Sequence, residues 1–110
     1  MIEIEEYRRD NQSSPFDEWF SSLSVSAASR VSTALVRLEM GNTSNIKWFD
    51  GIGEYRIDWG PGLRIYLIQE GQRLIILFGG GDKSTQKRDI KAVKSLVIEH
   101  QRCKKLEQKR

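Results

Sequence analysis

EYRIDWGPGLRIY, residues 54–66, decides the fold. Before its Gly60-Pro61-Gly62 punctuation, Tyr55, Ile57 and Trp59 alternate with Glu54, Arg56 and Asp58. After it, Leu63, Ile65 and Leu67 alternate with Arg64, Tyr66 and Ile68. A period of two marks half-buried strands, and the glycines and proline mark a turn, so the stretch reads as a β-hairpin. Directly opposed residues share a face of a sheet. A turn centred on Gly60–Gly62 that pairs Trp59 with Leu63 also pairs Asp58 with Arg64 and Arg56 with Tyr66. A two-residue turn at Pro61-Gly62 would instead mix arginines with Ile57 and Trp59, and its twist suits a hairpin poorly. An odd-length loop of three or more residues therefore gathers the polar groups on one face. An exposed Asp58–Arg64 ion pair would be the ordinary use of such a face, contributing about 0–1 kcal/mol.

Working outward, Ile2 to Tyr7 alternates and predicts a short first strand at or near an edge. Ser14-Pro15-Phe16-Asp17 supplies an N-cap serine, a proline at the first helical position and a carboxylate in the first turn. Phe16, Trp19, Phe20 and Leu23 then fall on one helical face as core anchors. A second helix begins after Ser24 or Ser26, buries Ala28, Val31, Leu35 and Leu38, and stops at Gly41-Asn42; Arg30 and Arg37 lie outside its apolar stripe. Further strands are predicted near Ile46–Phe49, Glu54–Trp59, Leu63–Ile68 and Leu74–Phe78. The last is continuously apolar, as a central strand covered on both faces would be. A final helix from about Thr85 carries Ile90, Val93, Leu96 and Val97. The order is β-α-α-β-β-β-β-α, an α+β domain over residues 1–110 with an antiparallel sheet packed by an N-terminal helical hairpin and a C-terminal helix.

With 110 residues, 38% apolar and 30% charged, the composition is that of one folded domain. No run approaches the roughly 18–20 apolar residues of a membrane span, and the acidic, alternating start is unlike a signal peptide, so a cytoplasmic protein without a membrane partner is expected. Cys103 and His100 are the one cysteine and the one histidine, which argues against disulfide, metal and cofactor chemistry; His100 reads as part of a solvated helix face. The net charge of +3 is unevenly spread: residues 82–110 hold 10 Lys/Arg against 4 Asp/Glu. A basic segment of this kind is the electrostatic footprint of a nucleic-acid partner, and equally that of a solubilising amphipathic helix.

The stretch GGGDKSTQ, residues 79–86, takes three glycines out of a strand and places Lys83 just before a helix. Glycines allow close backbone approach, and a helix N-terminus offers unpaired N–H groups to a phosphate, although the spacing is not that of a nucleotide P-loop. Lys83 is expected within reach of the Arg56/Arg64 face.

EYRIDWGPGLRIY, LIILFGGGDKSTQ and the helix opening KRDIKAVK together resemble the addiction-module killer proteins, a HigB-like group within the RelE/ParE superfamily of toxins. The resemblance covers nearly the whole chain in element order. It implies a RelE-like fold similar to compact microbial ribonucleases, a cognate helix-turn-helix antitoxin as partner, and ribosome-dependent cleavage of mRNA; operator DNA would be contacted only through the antitoxin. Arg64 matches the family's strand arginine and is the first candidate to bind the transition-state phosphate, with Lys83 stabilising charge or donating a proton and Arg56 positioning the phosphate. Tyr66 is a candidate to stack on a base or hydrogen-bond the RNA backbone, and Lys47, Ser84 and Thr85 complete the candidate substrate-binding set. The general base has no assignment, and relatives of the ParE type, which poison DNA gyrase, share the fold without the chemistry. The antitoxin is expected to bind near the catalytic set and also outside it, on the polar outer faces of the two N-terminal helices, Arg30 and Arg37 included, and on the acidic first strand.

Overall fold

The computed structural model describes residues 1–108. Its elements are β1 (Glu3–Glu6), α1 (Pro15–Ser21), α2 (Val25–Glu39), β2 (Ile46–Phe49), β3 (Ile52–Ile57), β4 (Leu63–Glu70), β5 (Leu74–Gly81), a 3-10 turn (Lys83–Thr85) and α3 (Gln86–Gln108). The helix starts follow from local chemistry: Ser14 Oγ accepts the Asp17 N–H at 3.0 Å and Ser24 Oγ accepts that of Ala27 at 3.2 Å. Helix α2 ends in a Schellman motif, with the Asn42 N–H donating to Arg37 O and that of Gly41 to Leu38 O.

The strands form one sheet in the order β1-β5-β4-β3-β2. Two expectations are corrected here. The sheet is mixed, because β1 runs parallel to β5, with Glu3 opposite Leu74. The middle strand is β4; β5 lies between it and β1, still covered on both faces, and that covering is what its unbroken apolar run records. The β3–β4 hairpin also closes two residues earlier than expected. Ile57 opposes Leu63, so residues 58–62 form a five-residue loop, Arg56 opposes Arg64 and Glu54 opposes Tyr66. The loop is odd in length, so the faces are as anticipated while the partners are not.

Helices α1 and α2 cover one face, where Phe16, Val31, Leu38, Ile65, Ile75 and Leu77 form a core; α3 covers the other, on which Tyr66, Ile68, Ile76, Phe78, Val93 and Val97 pack. Each fully buried large aliphatic or aromatic side chain contributes about 1.5–3 kcal/mol. A bulge where Tyr66 opposes Gly79 and Leu67 opposes Leu77 leaves Phe78 as the extra residue and bends β5 at its glycine end. The two following glycines are required by close approach. A Cβ on Gly80 would enter the Trp19 ring from α1, and one on Gly81 would meet the Asp89 carboxylate from α3 and the Thr85 hydroxyl from the 3-10 turn. No helix among the described residues is long and apolar enough to cross a membrane.

Candidate functional site

Two rows of paired residues cross the α3-facing side of the sheet near the β3–β4 loop. Lys47, Glu54 and Tyr66 form one; Arg56, Arg64 and Gly81 form the next. Alternation turns these positions the same way, and Glu54, Tyr66 and Arg64 are buried there while Lys47 and Arg56 remain exposed. Glu54 is the hub. It is fully buried at 0% exposure; its Oε1 accepts from Arg56 Nε at 2.9 Å, its Oε2 accepts from Gln86 Nε2 at 2.9 Å, and Arg64 Nε stands 3.7 Å from Oε2. Burial alone would raise its pKa, but the hydrogen bonds from Gln86 and Arg56 and the charges of Arg56 and Arg64 together outweigh it and hold the carboxyl below its ordinary value. Glu54 is thus an internal anion that fixes two guanidinium groups.

Arg64, 7% exposed, also donates from one terminal nitrogen to Gly62 O at 2.8 Å. Gly62 has φ +79, and a Cβ there would stand 3.3 Å from the Arg64 guanidinium and 3.7 Å from Lys83 Cβ. The loop glycine therefore lets Arg64 and Lys83 approach it from two sides, and the Lys83 N–H donates to Pro61 O at 3.3 Å. Arg56, Arg64 and Lys83 reach a common cleft of about 970 Å3, whose other wall is α2 with Arg30, Thr33 and Arg37. Asp58 is the one carboxylate among five cationic lining residues. The expected Asp58–Arg64 pair is replaced by the buried Arg64–Glu54 pair, because the register shift moves Asp58 into the loop.

The proposed catalytic residues Arg56, Arg64 and Lys83 are therefore brought together. Of the candidate substrate contacts, Tyr66 is corrected. It is 0% exposed beneath α3, so it cannot stack on a base, and burial and the neighbouring Glu54 carboxylate raise the pKa of its hydroxyl. The Tyr66 hydroxyl and Arg64 Nε make no hydrogen bond among the described residues. Lys47 is exposed on the edge strand beside Glu54 and is not among the cleft-lining residues.

Ser84 and Thr85 are held by their own loop. Asp82 accepts from Ser84 Oγ and from the N–H groups of Ser84 and Thr85, and Thr85 Oγ1 donates to Asp89 at 2.5 Å. The Ser84 hydroxyl and these N–H groups hold the Asp82 carboxyl below its ordinary value against a smaller effect of burial. An internal carboxylate thus occupies the N–H groups that the sequence offered to a phosphate, and Trp19 and Asp89 occupy the space left by Gly80 and Gly81. The expected separation of Arg30 and Arg37 from the catalytic set is also corrected, since all five cations line one cleft.

His100 lies far along α3, with Nε2 donating to Glu70 Oε1 at 2.6 Å and its ring edge-on to Tyr7 and Phe78; Cys103 is exposed nearby. Among the described residues, no three His, Cys, Asp or Glu side chains are grouped to hold a metal ion. Lys109 and Arg110, the last cations of the basic C-terminal segment, lie outside the described residues. Sequence reasoning missed Glu54 and Gln86. The signal available was the face Glu54 shares with Arg56, two residues along the same strand.

No protein-family model matches the chain. An "Uncharacterized protein" of Haemophilus influenzae is 46% identical over 86 residues, which span 76% of this chain and 87% of that protein. With this identity and coverage, the chain belongs to the same family as the Haemophilus influenzae protein.

Proposed function

We propose that this protein is a toxin of the RelE/ParE type, HigB-like, that cleaves mRNA on the ribosome and is restrained by a helix-turn-helix antitoxin. The observation that carries the reading is the convergence of Arg56, Arg64 and Lys83 on one cleft, two of them fixed by a buried carboxylate. The motif resemblance supports the same reading, and the β-α-α-β-β-β-β-α order fits a RelE-like fold.

In the proposed reaction the ribose 2′-oxygen attacks the adjacent phosphorus and gives up its proton. The phosphorane's extra charge is met by Arg64 and Arg56, and the departing 5′-oxygen takes a proton from Lys83, leaving a 2′,3′-cyclic phosphate and a 5′-hydroxyl. Asp58, the carboxylate of the cleft, is the candidate to receive the 2′-hydroxyl proton. Arg64 presents a planar fork suited to two phosphoryl oxygens. Because Glu54 needs a cation beside it, Arg64→Lys is the informative variant: it keeps the charge and loses the fork. It should fold and lower the cleavage rate of ribosome-bound message about 10²–10³-fold, as removal of a transition-state donor does. Wild-type cleavage by folded Arg64→Lys protein would refute the role.

A non-enzymatic reading, with gyrase as target, draws on the position of His100. The one imidazole is held by Glu70, away from the cleft. Under that reading, induction produces DNA breaks and leaves message ends unchanged.

A further inference from the structure

The cationic cleft has a second half that the cleavage chemistry does not use. Along α2, Arg30, Thr33 and Arg37 recur at i, i+3 and i+7, which places them on one helical face, and all three line the cleft opposite Trp59. Helical rise sets Arg30 and Arg37 about 10 Å apart. Between the two walls the floor is apolar, formed by Ala34, Tyr55, Ile57 and Leu63. The exposed Arg30 guanidinium stands over the Trp59 ring, 5.9 Å from its centroid, and the half-buried indole also packs against the core beneath α1 and α2. A base therefore reaches the ring where the exposed Arg30 side chain swings aside.

We propose that this half is a track for single-stranded RNA, in which Arg30 and Arg37 meet backbone phosphates and Trp59, flanked by Arg30, takes a base on its face. The inference rests on the RNA-cleaving reading and extends it to the nucleotides beside the scissile phosphate. Charge and ring chemistry favour this occupant. Five cations against one carboxylate suit a polyanion, and an indole beside a guanidinium is a stacking platform that any base can use. An acidic polypeptide would use the cations and leave the ring without a π-partner. Tyr66, the stacking residue expected from sequence, is buried, so Trp59 supplies the aromatic face that the cleft exposes.

The test is binding of a fluorescent single-stranded RNA of about 8 nucleotides made with 2′-fluoro sugars, which cannot undergo the attack, measured across a salt series. The double variant Arg30→Glu/Arg37→Glu should bind at least about tenfold more weakly and flatten the log K against log[salt] slope by about 1.4, the value for two single-strand phosphate contacts. Replacing one base at a time by an abasic sugar should, at one position, weaken wild-type binding at least about fivefold and leave Trp59→Leu binding unaffected. Trp59→Leu protein that still binds the intact oligonucleotide with the wild-type salt slope is folded, and its loss of abasic sensitivity then reports the lost ring.

Unchanged affinity and slope in the arginine variant, abasic substitution without effect at every position, or wild-type protein that fails to bind the oligonucleotide would each overturn the track. So would poly-aspartate binding as tightly as the RNA with the same variant sensitivity, which would assign the surface to an acidic protein partner. The two readings fail separately. Lost cleavage in Arg64→Lys with normal RNA binding by Arg30→Glu/Arg37→Glu keeps the nuclease and removes the track. Normal cleavage by Arg64→Lys with weakened binding in the double variant removes the arginine's catalytic role and keeps the track.

Discussion

Glutamates hold cations at both ends of the α3-facing side of the sheet, and the two arrangements differ in depth. Glu54 is fully enclosed, with Arg64 beneath the surface and Arg56 half-exposed above it. Glu70, 23% exposed at the far end of β4, takes His100 at 2.6 Å and Lys104 at 2.8 Å from the outer turns of α3. A buried pair must offset the desolvation of its charges, while an exposed one is screened and contributes little. The far cluster therefore fastens a helix, whereas the near one fixes guanidinium groups in place at a cost that packing elsewhere must offset.

The strongest way to break that contrast is Glu54→Leu. It leaves Arg64 without its buried counter-charge and should destabilise the protein by about 3–5 kcal/mol, read as a lowered urea midpoint; Glu70→Leu should lower it far less. Gly80→Ala sharpens the comparison by disturbing packing without touching charge. Its methyl enters the Trp19 ring, and overpacking of this kind costs about 1–3 kcal/mol. If Gly80→Ala melts like wild type, the triple glycine is not maintained by that contact.

Acid separates the two clusters further. The Glu70 carboxyl is held below its ordinary 4.5 chiefly by hydrogen bonds from Lys104 and His100, against a smaller effect of burial. A depressed carboxylate stabilises the fold above its unfolded-state pKa and loses that contribution as pH falls through its folded value. Glu70→Gln should therefore cost under about 1 kcal/mol at pH 7, and its stability should converge on wild type as the pH drops below 4.5. Glu54, depressed as well and enclosed, adds its own acid-sensitive contribution over the same range. The smallest effect belongs to Lys104→Met, a partly exposed pair worth a few tenths of a kcal/mol.

The hairpin's faces were legible because a period of two survives any odd loop; its partners were not, since Gly60-Pro61-Gly62 is compatible with loops of three or five residues. Glu54 went unnoticed because its burial depends on α3, which begins 32 residues later at Gln86. Tyr66 misled for the same reason: its polar hydroxyl and polar strand neighbours suggest an open face until α3 is laid across it. The direction of β1 was illegible, since alternation is the same in a parallel and an antiparallel pair. The Asp82 cap was missed as well, although the Asp-Lys-Ser-Thr spacing resembles a capping box and carried the signal.

Parallel pairing of β1 with β5 ties strand β1 to a partner made about seventy residues later. Strand β1 is made long before its partner, since Glu3 waits for Leu74 and Glu6 for Leu77. A nascent chain emerging from its own ribosome carries an orphan acidic strand until β5 is clear of the exit tunnel, and without β5 neither the bulge nor the loop that presents Lys83 exists. Closing so long a loop is a slow, entropically costly step. The cationic cleft consequently assembles only after β5 has been released, well after the α2 wall with Arg30 and Arg37 has emerged.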